Sequence, residues 1–375
     1  MRFVVSSSEL LSHLQAISRV ISSKSTMPIL DNFLFDLKDK TLTLTASDLE
    51  VTMVTSVNLE NTDGEGTIAL PSKILLEALK KFPEQPLNFD INLDTYGVDI
   101  ITEKGKFSVV GLDGDDFPAL PEIDSNEVKS LQINAEILNS GIIKTIFATA
   151  NDELRPVMNG ILIELSEGNM TFVASDSHKL VRYRRMDAKA DFESSFILPQ
   201  KPAGLLKNVL TKETGEVLIQ FDQKNARFTL PNYKLICRLV EGNYPSYNAV
   251  IPQNNPNRVV VDRVELFNTL GRVSLFSNQA SNLVKLQMSS NEMTVSAQDI
   301  DFSISAFEKI SCQYDSEDME IGFKSNFLAE IVDNISSSDI VVELSDPARA
   351  GLFLPLENGE NEDELMLLMP MMINV

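Results

Sequence analysis

The chain has 375 residues, with 32 Lys and Arg against 54 Asp and Glu, for a net charge of −22. That length suits two or three domains with separate cores, and the acid surplus argues against a binder that grips nucleic acid with a basic face. No apolar run is long enough to span a membrane, and the distant Cys237 and Cys312, the only cysteines, fit a reducing cytoplasm better than a disulfide framework.

The opening MRFVVSSSELLSHLQ reads as a strand running into a helix over 7–21, not as a signal peptide. Leu10, Leu14, Ile17 and Ile21 recur at the spacing of one helical face. A strand-like TLTLTASD (41–48) follows, then a second helix over 72–82 behind Pro71, a position proline tolerates. An aromatic-proline block, GDDFPALP (114–121), comes next. The same order then recurs: a helix over 134–148, NMTFVASD (169–176), a helix over 200–210 behind Pro199, the strand EVLIQFD, and EGNYPSYNAVIP (241–252). A third pass gives a helix over 262–276, EMTVSAQD (292–299) and a helix over 324–334.

The three strand motifs align without gaps on Asp48, Asp176 and Asp299. A repeat this long is domain-sized and far above solenoid periods. The expected fold class is therefore α+β, with three repeated domains over 1–128, 129–255 and 256–375. Each has two helices packed on antiparallel sheets. Two helices and two sets of strands per copy leave open that each copy is itself a duplicated half-domain.

Charge is unevenly spread. The six helical segments hold ten basic and seven acidic side chains, so the acid sits in strands and loops such as DGDD (113–116), DSED (315–318) and ENGENEDE (357–364). A protein that holds DNA by enclosure needs only a mildly positive lining with few fixed contacts. The plainer alternative is that helix surfaces are simply lysine-rich.

Two other function classes compete. A hydrolase could use the repeated aspartates for acid–base work, but equivalent positions in separate domains do not converge on one substrate, and capping a turn is the simpler role. Asp176, Ser177 and His178 are adjacent in sequence, which does not build a triad. No phosphate-cradling GxxxxGK[ST] occurs, so loading onto DNA would need a separate ATPase. A peptide-binding hub without DNA is the third class.

The blocks KSTMPILDNF (24–33), SDLE (47–50), LRPVMNGILIE (154–164), ASDSHKLV (174–181), YPSYNAVIP (244–252), GFKSNFL (322–328) and MPM (369–371) stand in the order found in one family. The chain resembles the beta subunit of bacterial DNA polymerase III, the sliding clamp, along its whole length. The resemblance implies the DNA clamp fold and a head-to-tail homodimer forming a closed ring around double-stranded DNA. It implies a non-enzymatic processivity factor in the cytoplasm, with no catalytic residue, metal or cofactor. Its partners would be the replicative polymerase, clamp-loader subunits and other proteins with a clamp-binding motif, with no membrane.

These partners would dock peptides, often with a glutamine and an apolar pair, in a groove between domains 2 and 3. Carried over by position, the groove comprises Met158, Ser175, Ser177, His178, Lys179, Leu180, Pro245, Val250, Phe327, Ala348, Ala350, Leu368, Met369, Pro370 and Met371, a methionine-rich apolar set suited to adaptable recognition. DNA contacts fall on Lys24, Lys73, Lys81, Arg155 and Lys201. The dimer seam falls on Phe107 against Leu275 and Phe276. If two chains close the ring, twelve helices about 10 Å apart surround a channel about 28 Å wide. The sequence departs from the family at Ser177, where glycine is common, at Lys179 and Met372, where arginine is common, and at Pro156 and Val157, which replace aromatic residues of a DNA-touching loop. Asn374 and Val375 extend the usual end.

Overall fold

A βαβββ order occurs six times along the chain. The computed structural model describes residues 1–22, 27–124 and 127–373. The first half-copy is β1 (Arg2–Ser6), α1 (Ser7–Ser18), β2 (Asn32–Lys38), β3 (Thr41–Ser47) and β4 (Val51–Asn58), and the short β5 (Thr62–Asp63) follows. The second is β6 (Gly66–Pro71), α2 (Ser72–Leu79), β7 (Pro86–Asn92), β8 (Gly97–Ile101) and β9 (Lys106–Val110), trailed by β10 (Leu112–Asp113). The third is β11 (Lys129–Asn134), α3 (Ala135–Thr145), β12 (Gly160–Leu165), β13 (Met170–Ser175) and β14 (Lys179–Arg185). The fourth is β15 (Ser194–Pro199), α4 (Gln200–Leu210), β16 (Glu216–Phe221), β17 (Asn225–Thr229) and β18 (Tyr233–Arg238). The fifth is β19 (Asn257–Asp262), α5 (Arg263–Val273), β20 (Leu283–Ser289), β21 (Glu292–Asp299) and β22 (Ile304–Gln313). The sixth is β23 (Met319–Lys324), α6 (Ser325–Asn334), β24 (Asp339–Leu344), β25 (Gly351–Pro355) and β26 (Glu362–Leu368).

All six helices fall where the hydrophobic spacing puts them. Ser6 caps α1 and Asp262 caps α5, each side chain accepting from a backbone N–H of the first turn. α1 buries Leu10, Leu14 and Ile17. It ends at Ser18 because Val20 and Ile21 donate to Ile17 and Ser18, the tighter bonding of a last turn. Helical structure continues past α3 and α5 as 3-10 turns, Ile146–Ala148 and Ser274–Phe276. α3 also carries Gly141, where a Cβ would meet the Phe172 ring at 2.4 Å. The glycine lets this helix lie close on its sheet.

Contacts group the chain into two compact units, residues 1–139 with 201–239, and residues 140–200 with 240–375. The first unit holds two sheets, ordered β5-β1-β7-β8-β9 and β10-β6-β2-β3-β4-β18-β17-β16-β11. The second holds one, ordered β15-β12-β13-β14-β26-β25-β24-β19-β22-β21-β20-β23. Half-copies exchange their first strands: β1 pairs with β7 while β6 pairs with β2, and the same swap joins β11 to β16, β15 to β12, β19 to β24 and β23 to β20. Neither half can therefore complete its sheet alone. In the first unit this exchange is cemented by Phe3 of β1 stacked on Phe89 of β7, with centroids 4.7 Å apart. In the second, Leu266 and Leu270 of α5 and Leu328 and Ile331 of α6 are buried with Val284, Val295, Ile321 and Phe323 of the strands. Each such side chain contributes about 1.5–3 kcal/mol.

The last strand of one half-copy also meets the last strand of another. β4 pairs antiparallel with β18, and β14 with β26. β9 and β22 occupy the same place in their half-copies, but among the described residues β9 ends its sheet and β22 is unpaired along the outer edge of its first part.

Candidate functional site

The turn between β13 and β14 is built by Asp176. Its carboxylate accepts from the backbone N–H of His178 at 2.9 Å and of Lys179 at 2.8 Å. Ser177 consequently stands at φ +77°, the left-handed region that favours glycine. Asp48 and Asp299 do the same for their turns, accepting from Glu50 and Val51 and from Asp301 and Phe302. All three repeated aspartates are turn caps, as the simpler sequence reading expects.

That turn aims His178 outward and Lys179 inward. The exposed imidazole stacks on Phe327 of α6, with centroids 5.6 Å apart. Lys179 is only 5% exposed. Its ammonium pairs with Glu330 and Asp176 and lies 4.6 Å from the Phe327 ring centre and 5.7 Å from that of Phe147. Lys179 is thus a strut that fixes Phe327, with Lys324 placed 4.7 Å from the same ring centre.

Beside this stack lies a second apolar cluster: Leu162, Val173, Leu180, Ile197, Tyr247, Ile251, Ala350, Leu352, Leu365 and Leu367, with Val157, Val240, Tyr244 and Leu354 packed on it. Two expected groove residues, Leu180 and Ala350, belong to this floor. Pro245 and Val250 are exposed on the segment whose Tyr244, Tyr247 and Ile251 enter it, and Ala348 is exposed on the turn leading to Ala350. Met158 is buried, with its sulfur 3.7 Å from the Ser177 hydroxyl, and Ser175 is buried, its hydroxyl donating to the Lys179 carbonyl. The chain end forms a wall. Leu368 is buried, the Met369 N–H donates to the His178 carbonyl at 2.8 Å, and the Met371 N–H donates to the Gly322 carbonyl at 2.8 Å. Met369 and Met372 are exposed, and Pro370 and Met371 are half-buried. The floor residues of β25 and β26 are missed by the positional carry-over, although their period-2 spacing signals one shared face.

The basic residues are less free than their number suggests. Lys73 on α2 and Lys81 just beyond it are exposed. Lys201 donates to the Asp48 carboxylate and, at 2.7 Å, to the Val20 carbonyl. Arg155 is tied to Asp152 at 2.8 Å and to the Ser177 hydroxyl, so it braces the groove turn as well as facing solvent. Of the other helix cations, Lys80 pairs with Glu77, Lys144 with Glu364 and Arg272 with Glu308. Arg19 and Lys207 are exposed. Lys24, Asn374 and Val375 lie outside the described residues.

The expected seam residues are at the two open strands. Phe107 on β9 is 45% exposed and packs on Phe82, just beyond α2, with ring centroids 4.9 Å apart. Leu275 and Phe276, in the turn after α5 and beside β22, are 76% and 38% exposed. Val110 at the end of β9, Phe307 on β22, and Ile300 and Phe302 in the connection before β22 are also about 70% exposed or more. Apolar patches of this kind mark association surfaces.

Family models described as the DNA polymerase III beta subunit N-terminal, central and C-terminal domains match residues 1–121, 132–246 and 248–372. The beta sliding clamp of Pseudomonas aeruginosa is 29% identical over 99% of this chain and all of its own length. That of Bacillus subtilis is 25% identical over 99% of each. Among solved structures, a Pseudomonas aeruginosa sliding clamp bound to griselimycin superposes with a TM-score of 0.93 at 27% identity, covering all of both chains. The Thermotoga maritima DNA polymerase III beta subunit does so at 0.90 with 25% identity, again over all of both chains.

Proposed function

The chain belongs to the DNA polymerase III beta subunit family, and from that premise we propose how its own residues do the work of a sliding clamp. It is a DNA sliding clamp: a non-catalytic processivity factor that binds DNA, forms dimers and tethers the replicative polymerase and other partners. No helix of the described residues is long and apolar enough to cross a membrane, and the bacterial cytoplasm is its place of action.

Three domains over 1–128, 129–255 and 256–375 fit the βαβββ pairs, since β11 begins at Lys129 and β19 at Asn257. The carrying observation for the ring is the pair of open edges. Two junctions inside the chain join last strands of half-copies, and the third junction of that kind joins β9 of one chain to β22 of another. The register follows from the repeat. Thr52 faces Ile236, and Leu180 faces Leu367. The hairpin pairings make Ser305 the counterpart of Thr52 and Leu180, and Ser108 the counterpart of Ile236. Ser108 then faces Ser305, and Phe107 faces Ala306 on the side where Leu275 and Phe276 emerge. Two chains joined twice in this way close a head-to-tail ring.

Partner peptides lie on the floor of Leu180, Ala350 and Leu367, between the His178–Phe327 stack and the Met369–Met371 wall. DNA is met lightly by Lys73, Lys81, Lys24 and Arg155, with Lys201 damped by Asp48. Enclosure, not affinity, retains the duplex. The test is retention of the purified dimer, loaded by a clamp loader, on nicked circular DNA against the same DNA linearised. Retention on the circle with loss from linear ends is expected. Equal retention on both, or a monomeric native mass, overturns it.

A further inference from the structure

In each copy, the chain leaving the last strand folds back over the free edge of the strand that precedes the second helix. In copy one, Leu112 pairs with Ala69 of β6. In copy two, the Val240 N–H donates to Ile197 of β15 at 3.1 Å. In copy three, Met371 forms a bridge with Gly322 of β23. Ala69, Ile197 and Gly322 stand two residues before Pro71, Pro199 and Lys324, which end their strands, so they hold one repeat position. In the first two copies the returning segment continues as linker. In the third it is the Met369–Ile373 segment.

Only the third copy has glycine there, and the space explains why. A Cβ on Gly322 would stand 3.0 Å from the Met371 carbonyl oxygen, 3.0 Å from Ile373 Cγ1 and 2.8 Å from Leu283 Cδ1. Leu283 can give way, since the atom ends a flexible side chain, but the Met371 backbone cannot move without lengthening its 2.8 Å bond to the Gly322 carbonyl. Gly322 is not among the positive-φ glycines, so its requirement is for room and not for an unusual backbone. The wall is thus hung from two hydrogen bonds, Met369 to His178 and Met371 to Gly322. The first belongs to the turn that carries the stack. The second depends on the absence of a side chain.

We propose that Gly322 is a positioning residue of the peptide groove, holding the Met369–Ile373 segment against β23 so that it forms the groove wall. This rests on the groove assignment above. A β-branched residue suits a strand, so Gly322→Val should fold and dimerise while pushing the wall away, with Gly322→Ala as the milder variant. The probe is a labelled synthetic peptide carrying a glutamine and an apolar pair, titrated against the full-length dimer. Gly322→Val should weaken it about tenfold or more and Gly322→Ala less. Amide exchange should rise over Met369–Ile373 and stay unchanged in the β14–β26 ladder and in β20. Unchanged affinity and exchange in Gly322→Val overturn the proposal. So does exchange that rises throughout β20 and β23, which is general loosening. Deleting 369–375 separates the two layers: if that truncation leaves peptide affinity intact, the groove assignment itself fails.

Discussion

The imidazole of His178 and the ring of Phe327 stack with their centroids 5.6 Å apart and their planes 27° apart. This contact joins the β13–β14 turn to α6, and the buried Lys179 ammonium holds Phe327 in place. Phe327→Ala removes the shelf and leaves Lys179 with its carboxylates and the more distant Phe147 ring. Peptide affinity should fall about ten- to a hundredfold, the range of an aromatic anchor, with native mass unchanged. His178→Ala, which keeps the shelf, should cost less. A Phe327→Ala variant that binds as tightly as the parent removes α6 from the groove.

The seam register makes a covalent prediction. Ser108→Cys and Ser305→Cys, placed in one chain, should crosslink into a covalent dimer on mild oxidation, because directly facing residues bring their Cβ atoms to about 4.5–5.5 Å. Both native cysteines, Cys237 and Cys312, are buried and should not compete. Shifting one partner to Phe307→Cys turns it toward a different neighbour and should lower the yield. Equal yields from both pairs would mean that another register joins the chains.

The helices and turn caps were legible because their causes are local: one apolar face per helix, and an aspartate two or three residues before the amides it caps. What escaped the sequence is set by distant partners. Lys201 meets an aspartate 153 residues away, and Lys179 meets a glutamate 151 residues away, so neither loss of free charge can be read from the local sequence. Phe302 and Phe307 also escaped. The β21–β22 connection spans more residues than its counterparts after Asp48 and Asp176, and an exposed phenylalanine in a strand looks like a core residue until the edge is seen to be open.

The pairing of charges sorts the helix cations that DNA could meet. Lys73 and Lys207 are exposed, whereas Lys201 is held by Asp48. In the salt dependence of binding to short linear duplex, Lys73→Ala and Lys207→Ala should each flatten the log–log slope by about 0.9 if each meets one phosphate. Lys201→Ala should change it less. The reverse order would show that the Lys201–Asp48 pair opens on DNA.

Lys144 of α3 reaches Glu364 of β26 at 2.9 Å, with side chains only 12% and 3% exposed, and also donates to the Asn334 carbonyl. The other Glu364 oxygen is buried without a hydrogen-bond partner among the described residues. Burial pushes the Glu364 carboxyl up from its ordinary range, and Lys144 only partly opposes this. With the folded pKa above the unfolded one, folding favours the protonated acid. The site's contribution is therefore full below the ordinary carboxylate range and is lost as pH rises through the raised value. Lys144→Met strands the carboxylate and should cost about 3–5 kcal/mol at neutral pH, with the penalty shrinking as the solution is acidified and Glu364 takes up its proton. Glu364→Gln keeps the shape without the buried anion, so it should cost less than Lys144→Met and weaken the dependence on pH. Urea unfolding of the three proteins across a pH series separates these slopes. A Lys144→Met penalty that does not change with pH would show that lost packing, not the stranded charge, is what destabilises this junction.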